Sequence, residues 1–67
     1  MALGTVTWFS AEKGLGLIAP MDGSTDVLVH AAAVARAGLH VLVEGQKVRY
    51  EVIADGERQV AEHLSLA

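Results

Sequence analysis

The sequence predicts a small all-β domain, built as a barrel or sandwich of five short strands. Short runs rich in valine, isoleucine and leucine alternate apolar and polar residues, as half-buried strands do. Asp-Gly dipeptides at 22–23 and 55–56 are typical of the tight turns that join antiparallel strands. The 67 residues leave room for one domain, residues 1–67, and no linker.

Three strands are predicted in the first half of the chain. Leu3 to Ser10 contains the β-favouring valine, tryptophan and phenylalanine. Leu15 to Ala19 ends before Pro20, which cannot donate a hydrogen bond to a sheet. Asp26 to His30 alternates strictly between the two faces.

The second half begins with a different pattern. Residues 31–38 are rich in alanine and end in a glycine suited to a helix C-terminus, which predicts one or two helical turns. Leu39 to Val43 forms a longer connection that is compatible with an extended segment. Lys47 to Ala54 is predicted as the fourth strand and Gln59 to Leu66 as the fifth, whose imperfect alternation indicates a β-bulge.

Three strands, a crossing connection and two further strands favour a five-stranded antiparallel Greek-key barrel of the OB type. Alternation gives the second and third strands an inward set of Ile18, Val27 and Val29. The opposite parity places three leucines and a histidine together on the outside of the hairpin: Leu15, Leu17, Leu28 and His30.

Composition limits the function classes. The chain has no cysteine, so it forms neither a disulfide nor a thiolate site, which fits a reducing compartment. The first residues lack the basic and apolar regions of a secretory signal, and no charge-free apolar run approaches a membrane span. We therefore expect a cytoplasmic protein without a membrane partner. The net charge of −3 argues weakly against nucleic acid as a partner, because phosphate binding usually needs a basic patch.

The sequence does not predict an enzyme. Asp26 and His30 would lie about 13 Å apart along a strand, too far for an acid–base pair. The three histidines, at positions 30, 40 and 63, have no metal-binding spacing. We expect no cofactor and no metal.

Several fragments, taken in order, resemble one known family. "GTVTWF" is similar to the motif G-x-V-K-W-F, "KGLGLI" to K-G-F-G-F-I, and "DVLVHAAAV" to D-V-F-V-H-x-S-A-I. "LVEGQKVRYEV" and "AEHLSL" are similar to the entry of its fourth strand and to its C-terminal end. These are motifs of the cold-shock domain family, and the resemblance covers nearly the whole chain.

The resemblance implies a five-stranded barrel that binds single-stranded RNA or DNA on an aromatic platform flanked by basic groups. Leu15, Leu17 and Leu28 stand where the family has phenylalanine, and Ala31 stands where it often has phenylalanine. Arg58, in the second Asp-Gly hairpin, is expected to assist the basic residue at position 13. The expected nucleic-acid-binding residues are Trp8, Phe9, Lys13, Leu15, Leu17, Leu28, His30 and Arg58.

The leucines leave three interpretations open. They form an adapted platform that still contacts bases, or an interface for a protein partner or a second copy of the chain, or they pack beneath a loop. We expect an RNA chaperone or expression modulator whose binding is weaker than is usual in the family, because leucine has no π-face.

Overall fold

The computed structural model describes residues 2–67 and consists mainly of strands. The five strands are β1 (Ala2–Ser10), β2 (Leu15–Pro20), β3 (Val27–His30), β4 (Lys47–Asp55) and β5 (Arg58–Leu66). One short helix, α1 (Ala31–Arg36), follows β3. The predicted all-β class is confirmed, and each predicted strand is present with its ends within one residue of the expected positions.

The sheet closes into a barrel in the order β1-β2-β3-β5-β4. The hairpins β1–β2, β2–β3 and β4–β5 are antiparallel, and β1 also pairs with β4 over its first residues. A single parallel register pair, Leu28 with Val60, joins β3 to β5 and completes the ring. The predicted five-stranded barrel is therefore confirmed.

The core consists mainly of aliphatic side chains, together with the large ring of Tyr50. Ile18, Val27 and Val29 are at most 1% exposed, as alternation predicts. The contiguous buried cluster is Val6, Ile18, Val27, Val29, Ala33, Val34, Leu42, Val48, Tyr50, Ala61 and Leu64. Val60 is also buried but lies outside this cluster.

Two irregularities interrupt the ladders. In β1 the pairing moves from Val6–Ile18 directly to Trp8–Leu17, so Thr7 is an extra, bulged residue. In β5 the residues His63 and Leu64 together oppose Tyr50 of β4. His63 has a φ of 54°, which few residues other than glycine adopt. The bulge predicted for the fifth strand is therefore confirmed, whereas the one in β1 was not predicted.

Helix α1 ends as its sequence predicts. Gly38 has a φ of 81°, and its amide donates to the carbonyl of Ala35. The amide of Leu39 donates to the carbonyl of Val34, which completes a Schellman motif. The connection after it contains no strand. Leu42 enters the core, and the amide of Gly45 bonds the carbonyl of Val6 at 2.7 Å.

Candidate nucleic-acid interface

The β2–β3 hairpin presents the residues that its alternation places on the outside. Leu17 lies directly opposite Leu28, and Leu15 lies opposite His30. His30 is exposed and the three leucines are half-buried. In an antiparallel pair, opposite side chains lie about 5 Å apart, so these four form one continuous surface.

The bulge at Thr7 adds a tryptophan to this surface. Strict alternation from the buried Val6 would point Trp8 into the barrel. The extra residue reverses the parity, so Trp8 lies opposite Leu17 with 40% of its surface exposed. Thr7 itself is exposed, and its hydroxyl donates to the carbonyl of Leu17 at 3.4 Å.

We call this surface the outer face. It consists of two rows across β1, β2 and β3, Trp8–Leu17–Leu28 and Ser10–Leu15–His30. Of the predicted binding residues, it brings together Trp8, Leu15, Leu17, Leu28 and His30.

Phe9 points in the other direction. It pairs with Gly16 and packs against the core. A Cβ at Gly16 would lie 2.6 Å from Cδ1 of Phe9 and 2.9 Å from the carbonyl oxygen of Trp8. The absent side chain at position 16 thus leaves the space that the phenylalanine ring occupies. A direct contact between Phe9 and a base stays a prediction, and the ring does not lie on the outer face.

Two residues that sequence reasoning missed continue the register of the outer face: Val60, which is only 7% exposed, and the exposed Ile53. Leu28 pairs with Val60, and Val60 pairs with Ile53 of β4, which is 41% exposed. Because register partners share a face, the apolar row extends from Trp8 across the barrel to Ile53. The alternation of β4 and β5 is visible in the sequence, but the pairing of β3 with β5 depends on barrel closure.

A groove of about 470 Å³ crosses the outer face between two turns. Leu17 and Leu28 form its apolar part, and Arg58 lies in its wall. The remaining lining is polar or acidic, from Thr25, Asp26, Glu57 and Gln59. Its volume is within the range of small-ligand sites. The predicted site residue Arg58 is thus adjacent to two of the predicted leucines.

Lys13 lies at the opposite end of the outer face. It is exposed in the turn before β2, where its amide donates to Oγ of Ser10 at 3.2 Å. The amide of Gly14 bonds the Ser10 carbonyl, and the Gly14 carbonyl accepts the amide of Ala31. Within residues 2–67, neither Lys13 nor Arg58 forms an ion pair with an acidic side chain. Both cationic residues are exposed to solvent.

The β2–β3 turn is held by its own side chains. Asp22 accepts hydrogen bonds from the hydroxyl of Ser24 and from its amide, the latter at 2.9 Å. The Ser24 hydroxyl, and then the amide, lower the pKa of the Asp22 carboxyl. These hydrogen bonds favour the ionised carboxylate, which forms an Asx turn with Ser24.

Residues 2–67 contain no group of three or more histidine, aspartate or glutamate side chains placed to hold a metal ion. In the same range, no helix has both the length and the apolar character required to traverse a bilayer.

The fold and the site together define a class: a small closed β-barrel in which three adjacent strands carry an apolar patch with an exposed tryptophan, and a cation lies near each end of the patch. Residues 2–67 match the model of the 'Cold-shock' DNA-binding domain. The chain belongs to this family, whose members bind nucleic acids and are not enzymes.

Named relatives agree with this assignment. The chain is 60% identical over 55 residues to "Cold shock protein CspA" of Rhizobium meliloti (strain 1021), covering 82% of this chain and 80% of that protein. It is 54% identical over 52 residues to "Probable cold shock protein A" of Mycobacterium tuberculosis (strain ATCC 25618 / H37Rv), covering 78% of each chain. It is 49% identical over 55 residues to "Cold shock-like protein CspC" of Escherichia coli (strain K12), covering 82% of this chain and 78% of that protein.

Proposed function

We propose that this protein binds single-stranded RNA or DNA on its outer face, weakly and with little sequence preference. The observation that carries the proposal is the exposed Trp8 at the end of an apolar row, with Leu17 directly beside it and Leu28 next in the row. A single strand of RNA or DNA that follows this row would place one base on each side chain. The cellular role that we propose is that of an RNA chaperone or expression modulator, which keeps RNA single-stranded without reading its sequence.

Two kinds of interaction would hold bases on this surface, namely ring stacking and apolar contact. Trp8 and His30 have rings that can stack on a base, and the three leucines offer apolar contact without a π-face. Stacking of a base on an aromatic side chain is worth about 1–3 kcal/mol. Replacing three such rings by leucine therefore costs on the order of 3 kcal/mol, which is over a hundredfold in affinity. Phe9 would contribute by fixing the strand that carries Trp8.

The electrostatic contribution would be small. Lys13 and Arg58 flank the outer face, but Asp26 and Glu57 line the same groove as Arg58. If the two cations neutralise two phosphates, the slope of log K against log salt is about −1.4 for a single strand. A fourfold increase in salt concentration should therefore weaken binding only about sevenfold.

The direct test is a titration with a pyrimidine-rich single strand at low salt, followed by the fluorescence of Trp8, the single tryptophan of the chain. We expect quenching that saturates and that weakens with added salt. If millimolar oligonucleotide leaves the emission unchanged, the proposed function is wrong.

A gain-of-function variant sharpens this test. Leu17→Phe combined with Leu28→Phe returns two rings to the row and should tighten binding by roughly tenfold or more. Val43→Phe is the matched control, because Val43 is 62% exposed and lies in the connection before β4 rather than on the outer face. Equal gains in both variants would mean that any added ring suffices and that the outer face is not the site.

A second candidate function uses the same face for protein binding, either to a second copy or to another chain. It is favoured by the length of the apolar row from Trp8 to Ile53 and by the net charge of −3. Large exposed apolar patches commonly mark protein interfaces. Analytical ultracentrifugation of Leu17→Lys against wild type tests self-association. If both proteins are monomeric at high concentration, this face does not form a homodimer.

A further inference from the structure

The distal half of β4 has one open edge. β4 pairs with β5 along most of its length, but its pairing with β1 covers only Lys47–Tyr50. Within residues 2–67, the segment Glu51–Asp55 therefore has β5 on one side and no strand on the other. All five residues of this segment are exposed.

The turn at the end of the hairpin determines which backbone groups face this open edge. Gly56 and Glu57 form a two-residue loop, and Gly56 has a φ of 66°, as in a type II′ turn. The closing pair of such a loop, Asp55 with Arg58, exchanges hydrogen bonds, and the bonded pairs then alternate along the ladder. Val52 and Ala54 consequently direct their N–H and C=O groups away from β5, toward the open edge of the sheet.

On one face of this edge, an apolar side chain lies between two acidic ones. Glu51, Ile53 and Asp55 share the face that carries Val60, because register partners and alternate residues lie together. The sequence on that face is acidic, apolar, acidic, with Ile53 41% exposed. The side chain of Glu51 is 55% exposed although it contacts Nδ1 of His63 at 2.9 Å.

A second copy of the chain is a poor occupant for this edge. In a symmetric antiparallel dimer of this edge, the free backbone groups of Val52 must bond those of Ala54 in the other copy. This register covers the whole segment and places Ile53 opposite Ile53 of the other copy. That register places Glu51 opposite Asp55 of the other copy, twice. Like charges directly opposite each other destabilise a sheet. Two copies of this edge would therefore repel each other, whereas a strand with basic residues at these positions would be attracted.

We propose that Glu51–Asp55 is a docking edge for an extended segment of a partner protein with the pattern basic–x–apolar–x–basic. The segment adds an antiparallel strand to β4 and bonds the backbones of Val52 and Ala54. Its basic side chains lie opposite Glu51 and Asp55, and its apolar side chain lies opposite Ile53. This surface is separate from the groove lined by Leu17 and Leu28, although Ile53 lies at the far end of the same apolar row.

The test uses a capped synthetic peptide with the core Lys-Thr-Val-Thr-Lys and amide chemical shifts of the full chain. We expect shifts centred on Val52 and Ala54. N-methylation of both threonine amides, which face β4 in the proposed register, should weaken binding by roughly tenfold or more. N-methylation of the central valine amide is the matched control and should leave binding unchanged, because that amide faces away.

The charge argument has its own controls. A peptide with glutamate in place of lysine should not bind. Equal binding of the two peptides, or equal losses from the two N-methylations, would overturn the proposal. So would shifts confined to the outer-face residues Trp8, Leu17 and Leu28, or shifts of Val52 and Ala54 produced by single-stranded nucleic acid instead of the peptide.

A variant of the protein tests the self-repulsion directly. Glu51→Lys places a cation opposite Asp55 of a second copy and should strengthen self-association by roughly tenfold, measured by ultracentrifugation. Glu44→Lys makes the same charge change in the connection before β4 and should leave the chain as associated as wild type. Association of wild type through this edge, or no difference between the two variants, would contradict the proposed charge complementarity.

Discussion

Tyr50 carries a hydroxyl group that the core encloses without a hydrogen-bond partner among the described residues. The side chain is fully buried beneath β1, and a Cβ at Gly4 would lie 3.0 Å from the hydroxyl oxygen. A buried polar group without a partner loses its hydration and gains nothing in return. The ring therefore stabilises the core while its oxygen destabilises it.

Tyr50→Phe should consequently stabilise the fold by about 1 kcal/mol, since removal of an unpaired hydroxyl recovers part of a desolvation cost of about 1–3 kcal/mol. Urea unfolding measures the change. Tyr50→Leu is the control, because it removes both oxygen and ring and should destabilise by about 2–4 kcal/mol. A loss of stability in Tyr50→Phe would mean that the hydroxyl has a partner, such as a buried water.

The same residue predicts a dependence on alkaline pH. Burial, and secondarily the negative charge of Asp22, raise the pKa of Tyr50 above its ordinary value. Below a pH of about 10, tyrosine is protonated in both the folded and the unfolded chain. Above it the unfolded chain loses the proton first, so the free energy of unfolding falls as pH rises.

Urea unfolding of wild type and Tyr50→Phe at a pH of about 9 and about 11 isolates this contribution, because lysine titration is common to both. Wild type should lose more stability than the variant over this interval. Tyr50 is the single tyrosine of the chain, so phenolate absorbance reports its ionisation directly. Identical losses in the two proteins would show that Tyr50 ionises equally easily in both states.

At the scale of the strand, the β1–β2 pair leaves no room for a side chain where Gly16 faces Phe9. A Cβ there would lie 2.9 Å from a backbone oxygen, that of Trp8, which cannot move aside as a flexible side chain can. Gly16→Ala should therefore cost about 1–3 kcal/mol of stability and also shift the emission of Trp8.

Gly23→Ala is the comparison for this variant. Gly23 has open space around its Cβ position but a φ of 83°, so alanine should cost about 1 kcal/mol through the backbone alone. It should leave the emission of Trp8 unchanged. An unchanged emission in Gly16→Ala as well would mean that the strand pair adapts without moving Trp8.

The strands were predictable from sequence because each carries its own alternation and its own turn signal. The inward set of Ile18, Val27 and Val29 followed from parity alone. The bulge in β1 was not predictable in this way. Val6 and Trp8 have the same parity in the sequence, and only the register against β2 shows that they lie on opposite sides. The composition of the outer face thus depends on an irregularity that local pattern does not encode.

Long-range closure accounts for the rest of what sequence reasoning missed. Leu28 and Val60 are distant in sequence and meet through one parallel register pair. Nothing in either strand indicates that pairing. The extension of the apolar row to Ile53, and the open edge beyond Tyr50, both follow from it and from the limited overlap of β1 with β4. Such features are determined by the way the five strands pair in the closed barrel, and the sequence of a single strand does not show them.

At the scale of the whole molecule, the apolar surface favours the proposed binding of nucleic acid, whereas the net charge opposes it. The barrel carries the outer face that we propose binds nucleic acid, yet in the whole chain eight acidic residues outnumber five basic ones. Only the charges near the bound strand matter at physiological salt, because screening limits their reach to about 8 Å. Two of the eight, Asp26 and Glu57, line the groove of the outer face. These two should oppose binding more than the others.

Glu57→Gln therefore should tighten binding of a pyrimidine-rich single strand about threefold at low salt, because one unfavourable charge at roughly 6 Å in water costs about 0.7 kcal/mol. Glu44→Gln changes the net charge equally but lies outside the groove, so its effect should be smaller. Titrations at low and high salt measure both. The advantage of Glu57→Gln should vanish as screening increases. If the two variants bind equally well at low salt, net charge governs affinity, and the groove is not where the phosphates lie.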